Sequence, residues 1–424
     1  MRGVVGPDRL LTDPSARGRC AVDGLVPAWV AFPAGVDEVS GLLAVATEER
    51  LAVVPRGSGA LMDLGNPPRR LDLVIDLSRL AGLVAYEPDD LTVTVQCGMP
   101  LAALQERLGP RRQFLPLDPL EGMSRSVGGV IAANGSGPLR FRYGTARDLL
   151  LGVRFVQPDG TVTWGGSKVV KSVSGYDIPK LMVGSLGTLG ILVEATLRLH
   201  PVPDAEATWL VTFSSRERAA AFLERVLDSP FQANRLEIVS LPVLGRGSSG
   251  GATVAISFGS VEEAVRSQGE SVTAIARREG GRVATGDAGF WSRLGAPLAE
   301  SDLVLKIATL SSETTALTGE LERLAAGLGA AARVVGEAGN GLLHAGVTGN
   351  LTAEAWDNRV VAPLRERVTP AGGSVVVERA PRELKERLDV WGPVEAGVRA
   401  IMKRLKTEFD PRGVLNPGRF VGRI

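Results

Sequence analysis

Glycine is concentrated in three short segments of the first two hundred residues, and these segments most constrain the fold. They read VVPRGSGAL from Val53, GMSRSVGGVIAANGSG over 122–137, and GSLGTLGIL over 184–192. Because glycine has no Cβ, it permits sharp turns and lets a ligand approach the main chain closely. We therefore expect a domain whose loops surround a bound ligand.

The first segment follows a predicted strand over 51–55 and contains PRGSG at 55–59. Successive backbone N–H groups in such a loop form a nest for an anion such as a diphosphate. A lone GxG is more often a tight turn between two strands, and for this loop taken alone that alternative stays open. Neither the Rossmann GxGxxG nor a Walker lysine is present.

The second segment indicates a ligand wall of small residues. Ser126, Gly128 and Gly129 supply a hydroxyl group and bare backbone, while Ala132, Ala133 and Asn134 keep the wall narrow and add one amide. Such a wall suits a flat ring system. A second segment suited to a ligand favours the interpretation that the first loop binds one too.

Short strands alternate with glycine turns up to residue 203, where HPVP at 200–203 marks a domain boundary. We predict strands at 51–55, 71–76, 92–96, 152–157 and 192–199 and helices at 37–49 and 100–108. Beyond residue 204 the predicted order is β-α-β-β-α-β, and it occurs twice. The predicted elements are strand 208–213, helix 215–228, strands 235–240 and 252–258, helix 260–279 and strand 282–286, then strand 303–309, helix 312–328, strands 331–336 and 341–346, helix 352–368 and strand 373–378. This order is typical of two ferredoxin-like halves in an α+β protein.

Charge and cysteine content exclude several classes of function. The 48 basic and 47 acidic side chains nearly balance, so a nucleic-acid partner is not expected. Cys20 and Cys97 are the only cysteines and cannot hold an iron–sulfur cluster or a structural zinc. No signal-like apolar segment or membrane-spanning stretch is found, which predicts a cytoplasmic protein with at most peripheral membrane association through partners.

These glycine segments, together with LNPGRF near the C-terminus, resemble the PCMH-type FAD-binding family of vanillyl-alcohol oxidase and p-cresol methylhydroxylase. The resemblance implies an α+β fold with a two-part FAD-binding domain over 22–203. It further implies a substrate (cap) domain with an antiparallel sheet of two ferredoxin-like halves over 204–394, and a C-terminal helix and tail over 395–424 that return to the FAD domain.

The resemblance also implies FAD as the cofactor. The residues it assigns to FAD are Pro55, Arg56, Gly57, Ser58, Gly59, Ala60, Leu61, Gly122, Ser126, Val127, Gly128, Gly129, Ile131, Ala132, Asn134, Tyr143, Gly144, Arg147, Asp148, Gly187, Gly190, Ile191 and Asn416. Many relatives carry a histidine beside the first loop that bonds to the flavin, but here the loop continues with Ala60 and Leu61. The only histidines are His200 and His344, so we predict non-covalent FAD.

Within the family, KSVSGYDIPKLMVGSLGTLG, LDVWGP and FDPRGVLNPGRF look most like the small FAD-binding subunit of bacterial glycolate oxidase. This likeness implies oxidation of glycolate or a related small 2-hydroxy acid, with a larger paralogous FAD subunit and an iron–sulfur subunit as partners. Two alternatives stay open: a free-standing FAD-dependent oxidase of a small hydroxy acid or alcohol, and a non-catalytic scaffold subunit.

Catalytic relatives carry HxGDGNxH and a later Glu-His pair, which here become EAGNGLLH over 337–344 and Glu378 with Arg379. Glu337 replaces the first histidine and His344 matches the last. Glu337, His344 and Glu378 still offer three oxygen or imidazole donors at the positions of the relatives' metal ligands, but we assign no metal. Arg379 can hold a carboxylate but cannot accept a proton, so the usual base is missing.

The candidate catalytic residues are His344, Glu378, Arg379 and Tyr176. For His344 the simpler interpretation is a strand histidine bonded to a backbone group, and Glu378 with Arg379 is as readily an ordinary salt bridge. We expect Lys171, Tyr176 and Asp177 to link the flavin loop to the sheet, with Tyr176 worth testing.

Overall fold

A computed structural model describes residues 1–167, 175–245 and 250–424, which form four β-sheets in two α+β units. The α+β class is therefore confirmed. Lys171 lies outside the described residues.

The first unit contains a four-stranded and a five-stranded sheet. Its strands are β1 (Leu10–Leu11), β2 (Trp29–Ala31), β3 (Val53–Arg56), β4 (Leu73–Asp76), β5 (Leu83–Glu87), β6 (Thr92–Gln96), β7 (Gln113–Phe114), β8 (Leu150–Val156), β9 (Val162–Gly166), β10 (Ile191–Arg198) and β11 (His200–Pro201). The smaller sheet has the order β1-β2-β4-β3 with β2, β4 and β3 parallel. The larger has the order β5-β6-β10-β8-β9 and is antiparallel. β7 and β11 pair separately.

Helices of the first unit pack against these sheets. They are α1 (Arg2–Val5), α2 (Pro14–Gly18), α3 (Val36–Glu48), α4 (Leu101–Leu108), α5 (Val127–Ala133), α6 (Arg140–Tyr143), α7 (Ala146–Leu149) and α8 (Ile178–Met182). In α3 the buried residues Val39, Leu42, Leu43 and Ala46 recur at helical spacing and form one apolar face. This face shares a core with both sheets.

The second unit is one eight-stranded antiparallel sheet built from two β-α-β-β-α-β halves. Its strands are β12 (Ala205–Phe213), β13 (Ala233–Val239), β14 (Ala252–Ser260), β15 (Arg282–Thr285), β16 (Leu303–Ala308), β17 (Ala331–Glu337), β18 (Leu342–Thr348) and β19 (Ser374–Arg379). Their order is β15-β12-β14-β13-β17-β18-β16-β19, so each half has the ferredoxin-like arrangement and the halves join between β13 and β17.

The remaining helices are α9 (Arg216–Leu227), α10 (Glu262–Arg278), α11 (Phe290–Arg293), α12 (Ala296–Ala299), α13 (Thr314–Ala326), α14 (Ala353–Trp356), α15 (Ala362–Val368), α16 (Arg382–Arg387) and α17 (Ala396–Phe409). The helix predicted over 352–368 is confirmed over 353–368, but it contains a π-helical turn at Asp357–Val361 that joins α14 to α15. Pro363 lacks the N–H that a regular helix would direct back to residue 359, which favours this irregular turn.

The two faces of the large sheet have different neighbours. One face packs on α9, α10, α13 and α15 in the main core. The other face presents Val239 and Val335 to Leu298 of α12 and to Leu120 of the first unit. Because side chains alternate along a strand, His344, which pairs with Val335, also lies on this second face.

The C-terminal tail returns to the first unit. The N–H of Val53 donates to the carbonyl of Val414 at 2.8 Å, and the N–H of Asn416 donates to the carbonyl of Val53 at 2.8 Å. Lys406 of α17 is buried, and its Nζ donates to the carbonyl oxygens of Thr188 and Leu415 at 2.8 Å. These contacts fix the tail beside the first glycine loop.

Candidate functional site

The first glycine loop begins where β3 ends. Arg56 forms an ion pair with Asp76, the buried last residue of the neighbouring strand β4. A Cβ at Gly57 would lie 2.0 Å from Oγ of Ser126, so only glycine allows the loop to lie this close to α5. Gly59 has φ +83°, which a residue with a side chain rarely adopts.

The second glycine segment forms α5 and its N-terminal turn. Ser126 caps this helix, and its Oγ accepts a hydrogen bond from the N–H of Gly129 at 3.2 Å. Gly128 packs on Cys97, where a Cβ would approach the Cys97 Cβ to 2.7 Å. The start of the helix therefore lies against the residue that follows β6, and Gly128 and Gly129 line the same cleft as the first loop.

The third segment closes the opposite side. Gly187 has φ +63°, and a Cβ there would lie 2.6 Å from Cγ of Pro55. Nδ2 of Asn416 donates to the carbonyl of Leu186 at 2.6 Å, which attaches the C-terminal tail to this segment.

Together the three segments line an open cleft, which we call the glycine cleft; its space, with the open solvent at its entrance included, is about 750 Å³. Fifteen of the residues that we predicted to bind the cofactor line it: Pro55, Arg56, Gly57, Ser58, Gly59, Ala60, Leu61, Ser126, Gly128, Gly129, Ala132, Gly187, Gly190, Ile191 and Asn416. Ala133 of the predicted small-residue wall also lines it, and seven lining residues were not predicted: Met62, Leu77, Cys97, Arg125, Leu186, Leu192 and Arg419.

Arg419 is the most informative of the unpredicted residues. It is buried, and burial lowers the pKa of its guanidinium to about 10 despite the charges of Asp23 and Asp63. Its Nη2 donates to the carbonyls of Met62 and Leu64, but its buried Nε has no partner in the described part of the chain. An unpaired cationic donor in a cleft with bare glycine backbone fits an anionic ligand such as a diphosphate.

Several predicted cofactor residues do not line the glycine cleft. Val127 and Ile131 belong to the core of the five-stranded sheet. Gly122 lines a separate cavity between the two units. Asn134 ends α5 in the left-handed conformation with φ 49°, and its buried Oδ1 has no partner among the described residues.

The YGTARD segment also lies outside the cleft, and its side chains serve the fold. Asp148 accepts from the backbone N–H of Thr145 at 2.8 Å and completes the cap of α7, with Gly144 just before it. The ring of Tyr143 packs edge-on against Phe114 and His200. Arg147 donates to the carbonyl of Lys180 at 3.3 Å.

A second, open cavity adjoins the glycine cleft, and Ala60 and Leu61 line both. We call it the His344 cavity. Its other lining residues come from the loop after β3, the loop at 120–121, α12 with the residue before it, and strands of the large sheet: Asp63, Leu120, Glu121, Gly295, Leu298, Ala299, Val304, His344, Glu378 and Arg379.

His344 and Glu378 form a buried pair in this cavity. Nδ1 of His344 lies 3.3 Å from Oε2 of Glu378, whereas the buried Nε2 has no partner among the described residues. Burial acts to raise the pKa of Glu378. The hydrogen bond from His344, with the positive charges of Lys306 and Arg125, outweighs burial and lowers this pKa to about 2. The histidine is thus held by a side chain and not by a backbone group.

Arg379 does not pair with Glu378, which corrects the salt-bridge interpretation. Its Nε lies 3.2 Å from Oδ2 of Asp63, and its Nη1 donates to the carbonyl of Ala299 at 2.7 Å. The third nitrogen, Nη2, has no partner in the described ranges. Tyr176 is 95% exposed and lines neither cavity, so the structure does not bring it together with the other three candidates.

Glu337 belongs to a separate group of buried acids. It lies directly opposite Glu237 across β13 and β17. Burial raises the pKa of both, and in Glu237 the charges of Glu337 and Asp118 raise it further. Burial also raises the pKa of Asp118 to about 7. Within the described ranges no group of three or more His, Cys, Asp or Glu is arranged to hold a metal ion.

Comparison with known proteins finds an FAD-binding family model and relatives that oxidise 2-hydroxy acids, according to their names. Residues 27–166 match the family model described as an FAD binding domain. The chain is 29% identical to glycolate oxidase subunit GlcD of Bacillus subtilis over 94% of this chain and 90% of that protein. It is 31% identical to a mitochondrial D-lactate dehydrogenase [cytochrome] of Arabidopsis thaliana and 37% identical to a D-2-hydroxyglutarate dehydrogenase of Xanthomonas citri. These two matches cover 60% and 45% of this chain but only 46% and 40% of those proteins.

Solved structures share the whole fold. A p-cresol methylhydroxylase with substrate bound has a TM-score of 0.78 at 16% identity and covers 99% of this chain and 95% of its own. An alkyldihydroxyacetonephosphate synthase has a TM-score of 0.76 at 18% identity and covers 98% and 84%. At these identities the likeness concerns the fold. Among the described helices, none has the length and apolar character needed to cross a membrane.

Proposed function

We propose that this chain, an FAD-dependent oxidoreductase with a PCMH-type FAD-binding domain, oxidises a small 2-hydroxy acid to the 2-oxo acid. We further propose that it works as an FAD-binding subunit of a complex like glycolate oxidase. A larger paralogous FAD subunit, an iron–sulfur subunit and a cytoplasmic location stay predictions from the sequence.

The observation that carries the proposal is the position of the His344–Glu378 pair in a cavity that shares Ala60 and Leu61 with the glycine cleft. The bare backbone at Gly57 and Gly59 fits the diphosphate of FAD. Bound FAD would supply the oxidant that takes a hydride from the substrate carbon. A substrate in the His344 cavity therefore lies next to the cofactor site.

His344 supplies the base that Arg379 cannot. Oxidation of a 2-hydroxy acid removes a hydride from C2 and a proton from the hydroxyl oxygen, and we assign that proton to Nε2 of His344. Glu378 is ionised at neutral pH because its pKa is lowered, so it orients the ring through Nδ1 and stabilises the charged imidazolium. A Glu–His pair of this kind is an ordinary arrangement for general base catalysis.

Arg379 holds the substrate carboxylate in this proposal. Its Nη2 has no partner in the described residues, while Asp63 and Ala299 hold the other two nitrogens. The guanidinium is therefore positioned before substrate arrives, and a carboxylate on Nη2 gains a charge-assisted hydrogen bond.

We propose that FAD binds without a covalent bond. Cys97 lines the glycine cleft, but burial raises the pKa of its thiol above the ordinary value, so the reactive thiolate is suppressed. His344 lines the neighbouring cavity, and His200 packs on Tyr143 away from both cavities.

Anaerobic flavin reduction tests the proposal. The protein is purified with FAD, and D-lactate or glycolate is added without oxygen; we expect the flavin absorbance to bleach. The variant His344→Asn should keep its flavin but bleach at least about 100-fold more slowly. His200→Asn, which changes the other histidine of the chain, should bleach like the parent. A parent protein that binds flavin but is reduced by no 2-hydroxy acid would contradict the proposal.

A free-standing oxidase is the second candidate, because one chain carries the cleft, the His344–Glu378 pair and Arg379. Turnover of the isolated chain with oxygen as acceptor would favour it. Reduction by substrate without turnover in oxygen would favour a subunit that passes electrons to a partner. If the protein binds no FAD, only the non-catalytic scaffold subunit would remain as a candidate.

A further inference from the structure

The His344 cavity offers one arginine and no lysine to a substrate among its described lining residues, and that arginine is Arg379. The three carboxylates on its wall are each engaged by a cationic or imidazole group: Asp63 by Arg379 at 3.2 Å, Glu121 by Arg125 at 2.7 Å, and Glu378 by His344 at 3.3 Å. Lys306 and Arg125 are close enough to lower the pKa of Glu378, but neither is among the described lining residues, so the wall offers no second cation for a second substrate carboxylate. A free carboxylate for a substrate ammonium group is not found there either.

The rest of the wall is apolar. It consists of Ala60, Leu61, Leu120, Gly295, Leu298, Ala299 and Val304. Leu298 is 5% exposed and Val304 is 8% exposed, so both are anchored in the fold and present a fixed surface. Leu120 and Leu298 belong to the apolar layer between the two units.

This wall distinguishes among 2-hydroxy acids. Glycolate has no side chain and would leave the apolar surface uncovered, and lactate would cover it with a single methyl group. A dicarboxylate would place its second charge against leucine and valine, which is costly without a cationic partner. A larger apolar side chain would instead displace water from this surface, and each buried methylene group would favour binding further.

We propose, building on the 2-hydroxy acid oxidation proposed above, that the substrate is a monocarboxylic 2-hydroxy acid with a branched or aromatic apolar side chain. Nη2 of Arg379 binds its carboxylate, Nε2 of His344 faces its hydroxyl group, and the side chain lies on Leu298 and Val304. The single available cation sets the charge of the substrate, and the apolar wall sets the size of its side chain.

A substrate series tests this inference by two independent measurements. The FAD-loaded protein is assayed with glycolate, lactate, 2-hydroxyisocaproate, 3-phenyllactate and 2-hydroxyglutarate, and kcat/KM is measured with an artificial electron acceptor. Dissociation constants of the same compounds are measured by calorimetry under anaerobic conditions with the His344→Asn protein, which is not expected to turn over rapidly. We expect 2-hydroxyisocaproate or 3-phenyllactate to exceed lactate by at least about 10-fold in both quantities.

A pair of valine variants tests whether the substrate preference depends on the wall of the His344 cavity. Val304→Thr replaces a methyl group on the cavity wall by a hydroxyl group and should reduce the ratio of 2-hydroxyisocaproate to glycolate by roughly 5-fold. Val347→Thr makes the same change at a buried strand position of the main core and should leave the ratio unchanged. An equal effect of both variants would mean that general destabilisation, and not the wall, changes the ratio.

The possible failures are distinguishable. A preference for glycolate or for 2-hydroxyglutarate, with flavin reduction intact, would overturn this inference and leave the proposed oxidation standing. Absence of flavin reduction by every compound would contradict the proposed function, and calorimetry would still decide whether the cavity prefers apolar side chains.

Discussion

Nε of Arg379 lies 3.2 Å from Oδ2 of Asp63, so the last strand of the large sheet is joined to the loop that leaves the glycine cleft. The contact crosses between the two units and lies at the mouth of the His344 cavity. Both side chains are about one-third exposed, at 32% and 38%, so the pair contributes little to stability. Its main consequence is orientation, because it fixes the guanidinium plane and leaves Nη2 for a substrate.

Removing this guanidinium should weaken substrate binding more than it slows the chemical step. For Arg379→Ala we expect KM for a 2-hydroxy acid to rise about 10- to 100-fold, the loss of one charge-assisted contact, with a smaller change in kcat. Arg379→Lys should be intermediate, because one ammonium group cannot hold Asp63 and a carboxylate in the same planar arrangement. Steady-state kinetics measure both variants. Arg293→Ala, which removes an exposed arginine paired with Asp287, is the control, and an unchanged KM in Arg379→Ala would contradict the carboxylate role.

Glu378→Gln keeps the shape of the His344 partner and removes its charge. We expect kcat to fall by about 10²- to 10⁴-fold, because the imidazolium formed during oxidation loses its counter-charge. The pKa of Glu378 is lowered from 4.5 to about 2, so its ionised form is favoured in the folded state. Its contribution to stability should be present above pH 4.5 and lost as the pH falls toward 2. Thermal denaturation between these limits should show a smaller pH dependence in Glu378→Gln than in the parent, and equal curves would contradict the assignment.

The order of elements was predictable because it depends on local patterns. Helix α3 repeats its buried residues at helical spacing, and the two β-α-β-β-α-β halves follow from alternating strands and helices. The glycine cleft was largely predictable for a related reason, since its first loop and α5 consist of contiguous residues. The irregular helix near Pro363 was not, because the pattern of apolar residues continues through it.

The partners of His344 and Arg379 could not be read from the sequence. Glu378 and Arg379 are adjacent in the chain, but their side chains reach different neighbours, and one of these, Asp63, is more than three hundred residues away. Arg419 belongs to the tail motif LNPGRF, yet its place in the cleft depends on how the tail returns to β3. Long-range pairings of this kind depend on tertiary packing, which a pattern along one chain does not specify.

The close approach of Gly57 to Ser126 gives a prediction with a built-in rescue. In Gly57→Ala the new Cβ would lie 2.0 Å from Oγ of Ser126, so the loop must move and less FAD should be retained. Adding Ser126→Ala removes the clashing oxygen and should restore much of the FAD, at a cost of about 1 kcal/mol for the lost helix cap. The ratio of flavin to protein after gel filtration measures this. Gly109→Ala, where no atom lies within 4 Å of the new Cβ, is the control. A flavin-to-protein ratio in Gly57→Ala equal to that of the parent would contradict FAD binding in the glycine cleft.

The buried carboxyl group of Glu237 should make the protein less stable as the pH rises. Burial and the charges of Glu337 and Asp118 raise its pKa well above 4.5, although Arg235 opposes them, so the folded state holds a proton that the unfolded state releases. The folded state is therefore favoured at low pH and loses this advantage as the pH rises toward and through the raised pKa. Glu237→Gln removes the dependence, so its Tm should exceed that of the parent increasingly from pH 5 to pH 9, by roughly 2–4 °C for each kcal/mol recovered. The exposed variant Glu270→Gln should show no such trend, and a Tm difference for Glu237→Gln that is constant with pH would mean that Glu237 is already ionised at pH 5.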